Sequence, residues 1–131
     1  MPTAEFSFSW SRWVRILMTV LLTGPRHSSI RVDDDAVHVK MGLGGWTFDG
    51  TVPRSSIVAA DHVVGQRVWA WGAHGWKGRW LVNGSNEGLV RLTLNPRVHA
   101  RTLGYPLRVR ELTLSLAEPD DFIARVAPPA Q

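Results

Sequence analysis

Arg79-Trp80-Leu81-Val82-Asn83-Gly84-Ser85-Asn86-Glu87-Gly88-Leu89-Val90-Arg91-Leu92-Thr93-Leu94 reads as a strand, a turn and a returning strand. In the returning strand Val90, Leu92 and Leu94 share one face, with Leu89, Arg91 and Thr93 on the other. That period of two is the signature of a half-buried strand. Between the strands lie Gly84 and Gly88 with Ser, Asn and Glu, a composition that favours a turn. Asn83-Gly84-Ser85 also matches a glycosylation acceptor, but asparagine and glycine both tolerate positive φ and so fit the hairpin turn. Asn95-Pro96 is expected to end the second strand, because proline cannot donate to a ladder.

Immediately upstream, residues 69–80 hold four of the seven tryptophans: Trp69, Trp71, Trp76 and Trp80. This segment is either a packed aromatic corner or an aromatic and basic binding lip. Trp69 and Trp71 share a parity and Trp80 begins a strand, so these three are expected in the core. Trp76 lies between Gly75 and Lys77-Gly78, where a loop tip is expected. His74, Trp76, Lys77 and Arg79 are therefore the candidate ligand or partner-binding residues.

The rest of the chain extends the β pattern. Phe6, Phe8 and Trp10 alternate with serines, which predicts an N-terminal strand. Residues 12–23 form a dense apolar block that reads as a helix, with a second strand as its rival. The block holds Arg12 and Arg15, is shorter than the roughly 20 residues a bilayer span requires, and is followed by Gly24-Pro25, a helix stop. It is expected to pack on the domain. Ile30 to Val32, Asp33 to Asp35 and Val37 to Met41 predict strand, acidic turn and strand. Gly42 to Gly45 reads as a turn, Trp46 to Phe48 as a short strand, Pro53 as the opening of the next segment, and Ser56 to Val64 as a strand. Arg108 to Leu116 is a further strand, with Leu112, Leu114 and Leu116 inward and Glu111, Thr113 and Ser115 outward. Pro119, Asp120 and Asp121 suit the first turn of a C-terminal helix, whose apolar face is Phe122, Ile123 and Val126. Pro128-Pro129 ends it before a loose tail, residues 128–131.

The 131 residues are enough for one domain with one core. Apolar content of 44% and charged content of 20% are ordinary for a globular protein. No cysteine is present, which removes disulfides and thiolate metal sites and is compatible with a cytoplasmic setting. The net charge of +4 is unevenly placed: residues 67–110 carry eight cations against Glu87 alone. Such a middle segment favours anionic partners, although alternate strand positions also place charge in water for solubility.

Three segments carry a family resemblance. They are Ile30-Arg-Val-Asp-Asp-Asp-Ala-Val-His-Val-Lys-Met-Gly42, Val52-Pro53-Arg-Ser-Ser-Ile57, and Leu112-Thr-Leu-Ser115-Leu-Ala-Glu-Pro119-Asp120-Asp-Phe122-Ile. Together they resemble bacterial pleckstrin-homology-like (PH-like) domain proteins of an actinobacterial style, loosely across residues 30–127. The resemblance implies a mainly β, antiparallel barrel or roll of about seven strands closed by a C-terminal helix. It further implies a binding or scaffolding module with no shared catalytic residue. Residues 1–25 and the tryptophan-rich segment depart from a minimal domain of this kind, so no site transfers residue by residue.

Catalytic and cofactor motifs are missing from the sequence. Asp33 to Asp35 lack the glycine and bidentate glutamate of a calcium loop and read as a solvated turn. His27, His38, His62, His74 and His99 show no paired ligand spacing. Gly42 to Gly45 lacks a dinucleotide fingerprint, and no Gly-x-Ser-x-Gly elbow occurs. The expectation is a non-enzymatic module without cofactor or metal. Its partner is expected to be a protein or a second copy, in preference to nucleic acid. Two alternatives stand beside it: a peripheral module on an anionic membrane surface, and a small-ligand carrier or enzyme with a tryptophan-lined pocket.

Overall fold

The computed structural model describes residues 3–9, 11–12, 28–63, 72–83, 85 and 87–128. The expected helix or strand over 13–22, together with Trp10, Trp69, Trp71 and His27, lies outside the described residues. Among those described, nine strands and a C-terminal α-helix follow in order, with short 3-10 turns at Leu43–Gly45 and Arg54–Ser56: β1 (Ala4–Phe6), β2 (Ser29–Val32), β3 (Ala36–Met41), β4 (Phe48–Pro53), β5 (Ile57–His62), β6 (Gly72–Trp76), β7 (Arg79–Asn83), β8 (Leu89–Thr102), β9 (Tyr105–Ser115) and α1 (Pro119–Val126). The sheet runs β1-β2-β3-β4-β8-β9-β7-β6, and β5 also pairs with β8. It curls into an open half-barrel, mainly β with a C-terminal helix, consistent with the PH-like roll expected. One pairing differs from the antiparallel pattern: β7 runs parallel to β9, with Trp80 beside Leu112 and Val82 beside Leu114.

The curl originates in β8. Its first half pairs with β5 and its last residues with β4, so one strand serves two parts of the sheet. Between Thr93 and Val98 its register against β9 shifts. Asn95-Pro96 sits in that irregularity, joined by a cis peptide bond. The sequence places a strand end here, and the structure corrects it. A bulge leaves a residue unpaired and bends the strand, so proline's missing donor is tolerated and the strand continues to Thr102. Two smaller boundaries also move. Trp46 precedes β4 instead of starting it, and Pro53 closes β4 instead of opening the next segment.

Alternation fixes the core. Val90, Leu92 and Leu94 from β8 meet Leu112, Leu114 and Leu116 around β9, all buried, along with Ile30, Val32, Val37, Val39 and Met41. Leu89 is buried too, although its parity places it on the other face. Helix α1 begins at Pro119 with Asp120 and Asp121 in its first turn, and it buries Phe122 and Val126. Arg54 donates through Nη2 to the Arg125 carbonyl at 2.5 Å, which places a cation at the negative end of the helix.

The N-terminal strand crosses this helix. Phe6 meets Phe122 edge-on at 5.3 Å, and Phe8 is buried against the core. Ser9 N–H donates to the Ser115 carbonyl at 2.8 Å, and Ala117 N–H donates to Ser7 at 3.0 Å. Ser115 is therefore fully buried, with Oγ donating to the Ser9 carbonyl at 3.1 Å. The sequence pattern had placed Ser115 outward. The N-terminal segment covers that face at its Ser115 end.

Candidate functional site

Strands β6 and β7 form a hairpin whose two-residue turn is Lys77-Gly78, with φ of 52° and 83°. Positive φ at both positions is the type I′ geometry whose twist matches the flanking strands. The tip is thus Lys77-Gly78. Trp76 is the last residue of β6, paired in register with Arg79, and His74 is paired with Leu81. Lys77 and Arg79 are exposed; the side chains of His74 and Trp76 lie outside the described residues. The turn is fastened to β9: Arg110 N–H and Glu111 N–H both donate to the Gly78 carbonyl, at 2.8 and 3.1 Å, and Arg110 Nε donates to Lys77 O at 3.3 Å.

Gly75 is a strand residue and not a loop residue. A Cβ there would lie 2.6 Å from the Trp80 indole and against the Arg79 carbonyl. The absent side chain is what lets the indole lie across the neighbouring strand. Trp80 is partly buried, packed on the core with its ring 6.3 Å from that of Phe48. Its expected core role is met in part: the ring packs against the core and also lines an open groove.

Beside this hairpin is an open groove of about 260 Å³, lined by Gly75, Arg79, Trp80, Leu81, Arg91, Glu111 and Thr113. Register explains the grouping. Arg79 is level with Glu111 across β7 and β9, and Leu81 and Arg91 are each level with Thr113. Glu111 pairs with both arginines, Oε2 to Arg79 Nε at 2.8 Å and Oε1 to Arg91 Nε at 3.2 Å.

A second feature was missed in the sequence. Among the described residues, four of the five large exposed hydrophobic ones gather at one end of the sheet: Leu43 (54%), Trp46 (42%), Leu103 (59%) and Tyr105 (74%). Leu43 and Trp46 belong to the β3–β4 connection, and Leu103 and Tyr105 to the β8–β9 hairpin. The two connections are tied together. Leu103 N–H donates to the Trp46 carbonyl at 2.9 Å, and Thr102 Oγ1 donates to the Thr47 carbonyl at 2.7 Å. Between them Gly44, Trp46, Asp49, Arg101 and Leu103 line a cleft of about 380 Å³. Leu103-Gly104 is again a two-residue turn with positive φ, 49° at Leu103 and 80° at Gly104. A leucine pays steric strain there that asparagine or glycine avoids. A leucine followed by glycine between alternating segments is the readable signal, hidden because Pro96 reads as a strand end.

The acidic turn is a structural device. Asp33 Oδ1 accepts from the N–H groups of Asp35 and Ala36 at 2.9 and 2.8 Å. Its Oδ2 meets His38 Nε2 at 2.9 Å, and His38 Nδ1 lies 3.4 Å from Thr51 Oγ1. The His38 contact first, then the two backbone donors, lower the Asp33 pKa to about 2. His62 Nε2 meets Asp120 Oδ1 at 2.7 Å, linking β5 to α1. Among the described residues no three histidines or carboxylates come together as a metal site.

Compared with known proteins, the chain matches no family model, no curated protein and no solved structure.

Proposed function

We propose that this chain is a non-catalytic interaction module that docks a protein partner through the apolar end formed by Leu43, Trp46, Leu103 and Tyr105. The observation that carries this is the gathering of those four side chains on two hydrogen-bonded connections. Contiguous apolar surface on a folded domain marks interaction sites, and aromatic anchors on rigid backbone lose little entropy on binding. The strain at Leu103 adds weight, because disfavoured backbone concentrates where a side chain is used. The PH-like resemblance supports the same reading, as such folds serve binding. The proposed setting is cytoplasmic; among the described residues no helix is long and apolar enough to cross a membrane.

A second reading, an anionic membrane surface, draws on Arg101 lying in the same cleft as Trp46 and Leu103. Tryptophan, tyrosine and arginine together suit a lipid interface.

A photo-crosslinking amino acid at position 105, with position 58 on β5 as the exposed control, tests both. A discrete protein adduct from 105 and none from 58 supports protein docking. Sedimentation with vesicles containing phosphatidylglycerol, without a protein adduct, supports the membrane. Neither outcome appearing would overturn the use of this end.

A further inference from the structure

We infer that residues 4–9 fill a strand-accepting slot which also takes the same strand from a second copy of this chain, giving a dimer by strand exchange. The slot lies between β2 and the segment that joins β9 to α1. It shares no residue with the apolar end, so it and the docking proposed there can fail separately.

The geometry carries the inference. Residues 4–6 pair with β2, with Ala4 level with Val32 and Phe6 level with Ile30. Residues 7–9 then bond to the far end of β9. Ser9 N–H donates to the Ser115 carbonyl at 2.8 Å, Ala117 N–H donates to the Ser7 carbonyl at 3.0 Å, and Phe8 bridges Leu116 antiparallel. One short segment thus joins the β2 edge of the half-barrel to its opposite end. Two aromatic anchors seat it: Phe8 is buried in the core, and Phe6 lies edge-on to Phe122. At its end Ser9 Oγ lies 2.8 Å from Ser85 Oγ. Main-chain bonds on both sides, with a large side chain at every second residue, are the chemistry by which an extended peptide adds to a sheet.

The occupant follows from the same contacts. All of them are made by residues 4–9, so the identical strand of a second copy makes the same set, and exchange needs no new surface. An empty slot would uncover Phe122, Leu116 and Ser115, all buried with the strand in place. The strand therefore leaves when another replaces it. Its tether to β2, residues 10–28, is nineteen residues long. Such a tether reaches up to about 63 Å extended, and about 45 Å even with ten residues helical. A domain of this size is about 36 Å across, so the tether can cross to a neighbouring copy.

The chain has no cysteine, so introduced thiols report the strand alone. The dilute double variant Ser9→Cys/Ser85→Cys should close an internal disulfide on oxidation; failure to close would overturn the slot. For exchange, the Ser9→Cys chain is mixed with a tagged Ser85→Cys chain, incubated, oxidised and read on a non-reducing gel. A mixed dimer is expected, its yield rising about tenfold or more between ~10 μM and ~1 mM, because a tethered strand has an effective concentration of millimolar order. Excess unsubstituted chain should suppress it by competing for the slot. Val58→Cys, exposed on β5, replaces Ser85→Cys as the collision control. The same exchange is read without substitution by an isotope-filtered NOE at the higher concentration, between Phe6 of an unlabelled chain and Phe122 of a carbon-13-labelled one. Exchange is overturned if that NOE is absent. It is overturned equally if the Ser85→Cys dimer is no more abundant than the Val58→Cys dimer, or does not fall with excess unsubstituted chain.

Discussion

The backbone N–H of Leu103 donates to the carbonyl of Trp46 at 2.9 Å, across 57 residues of sequence. That bond locks the tip of the β8–β9 hairpin to the connection between β3 and β4. Neither connection alone makes an apolar surface. Joined, they place Leu43, Trp46, Leu103 and Tyr105 at one end of the half-barrel, opposite in the strand register to the turns near α1. The apolar end is thus a consequence of the long, bent β8.

Gly75→Ala should destabilise the fold by about 1–3 kcal/mol, the usual cost of forcing extra atoms into a packed site. The new methyl group would press on the Trp80 indole and the Arg79 carbonyl. Urea denaturation measures this. A loss under about 0.5 kcal/mol, within the range of a neutral surface change, would show that the indole does not lie across Gly75 in solution.

Leu114→Ala should cost about 2–5 kcal/mol, as truncating a fully buried leucine does. Leu114 is level with Val90 on one side and Val82 on the other, at the junction of the antiparallel and parallel pairings. A urea midpoint close to that of the wild type would contradict this placement.

Asp33 makes stability depend on acidity. Its folded pKa, about 2, lies below the ordinary 3.8. The native state therefore favours the ionised carboxylate. The resulting stabilisation is fully present above about 3.8 and is lost as pH falls through about 2. Asp33→Asn can still accept from the two backbone N–H groups but cannot ionise. Thermal melts across that window should show the wild type losing stability more steeply than the variant. Parallel curves would show that the His38 contact does not hold the charge.

Much of this was legible in the sequence. The alternation of Val90, Leu92 and Leu94, and of Leu112, Leu114 and Leu116, fixed the core face because period two is enforced by the pleat itself. Pro119 with Asp120 and Asp121 marked the helix start, and Asp33 to Asp35 the turn. The misreadings share a cause: a local signal was answered by a distant partner. Pro96 looks like a strand end until a bulge in β8 accommodates it. Gly75 looks like a loop until its pairing with Trp80 makes it a strand residue. Ser115 looks exposed until residues 7–9 cross over it. The four residues of the apolar end are far apart in sequence, and only the pairing of β4 with β8 brings them together. Of His74, Trp76, Lys77 and Arg79, the candidates legible in the sequence, Lys77 and Arg79 sit at the hairpin corner, while the partners that complete the arginine groove, Arg91 and Glu111, come from β8 and β9.

Leu103→Asn should raise stability by about 0.5–2 kcal/mol, because asparagine tolerates the left-handed conformation that costs leucine roughly 1–2 kcal/mol. A thermal melt that falls instead would mean that the Leu103 side chain packs on the fold and is not held out for a partner.

The same substitution gives the most direct test of docking through the apolar end. The measurement is the cross-linking yield from position 105 in Leu103→Asn, read beside its melting temperature. Docking through this end predicts a melting temperature at or above the original together with a clear drop in adduct. An undiminished adduct yield from a fully folded Leu103→Asn protein would contradict it.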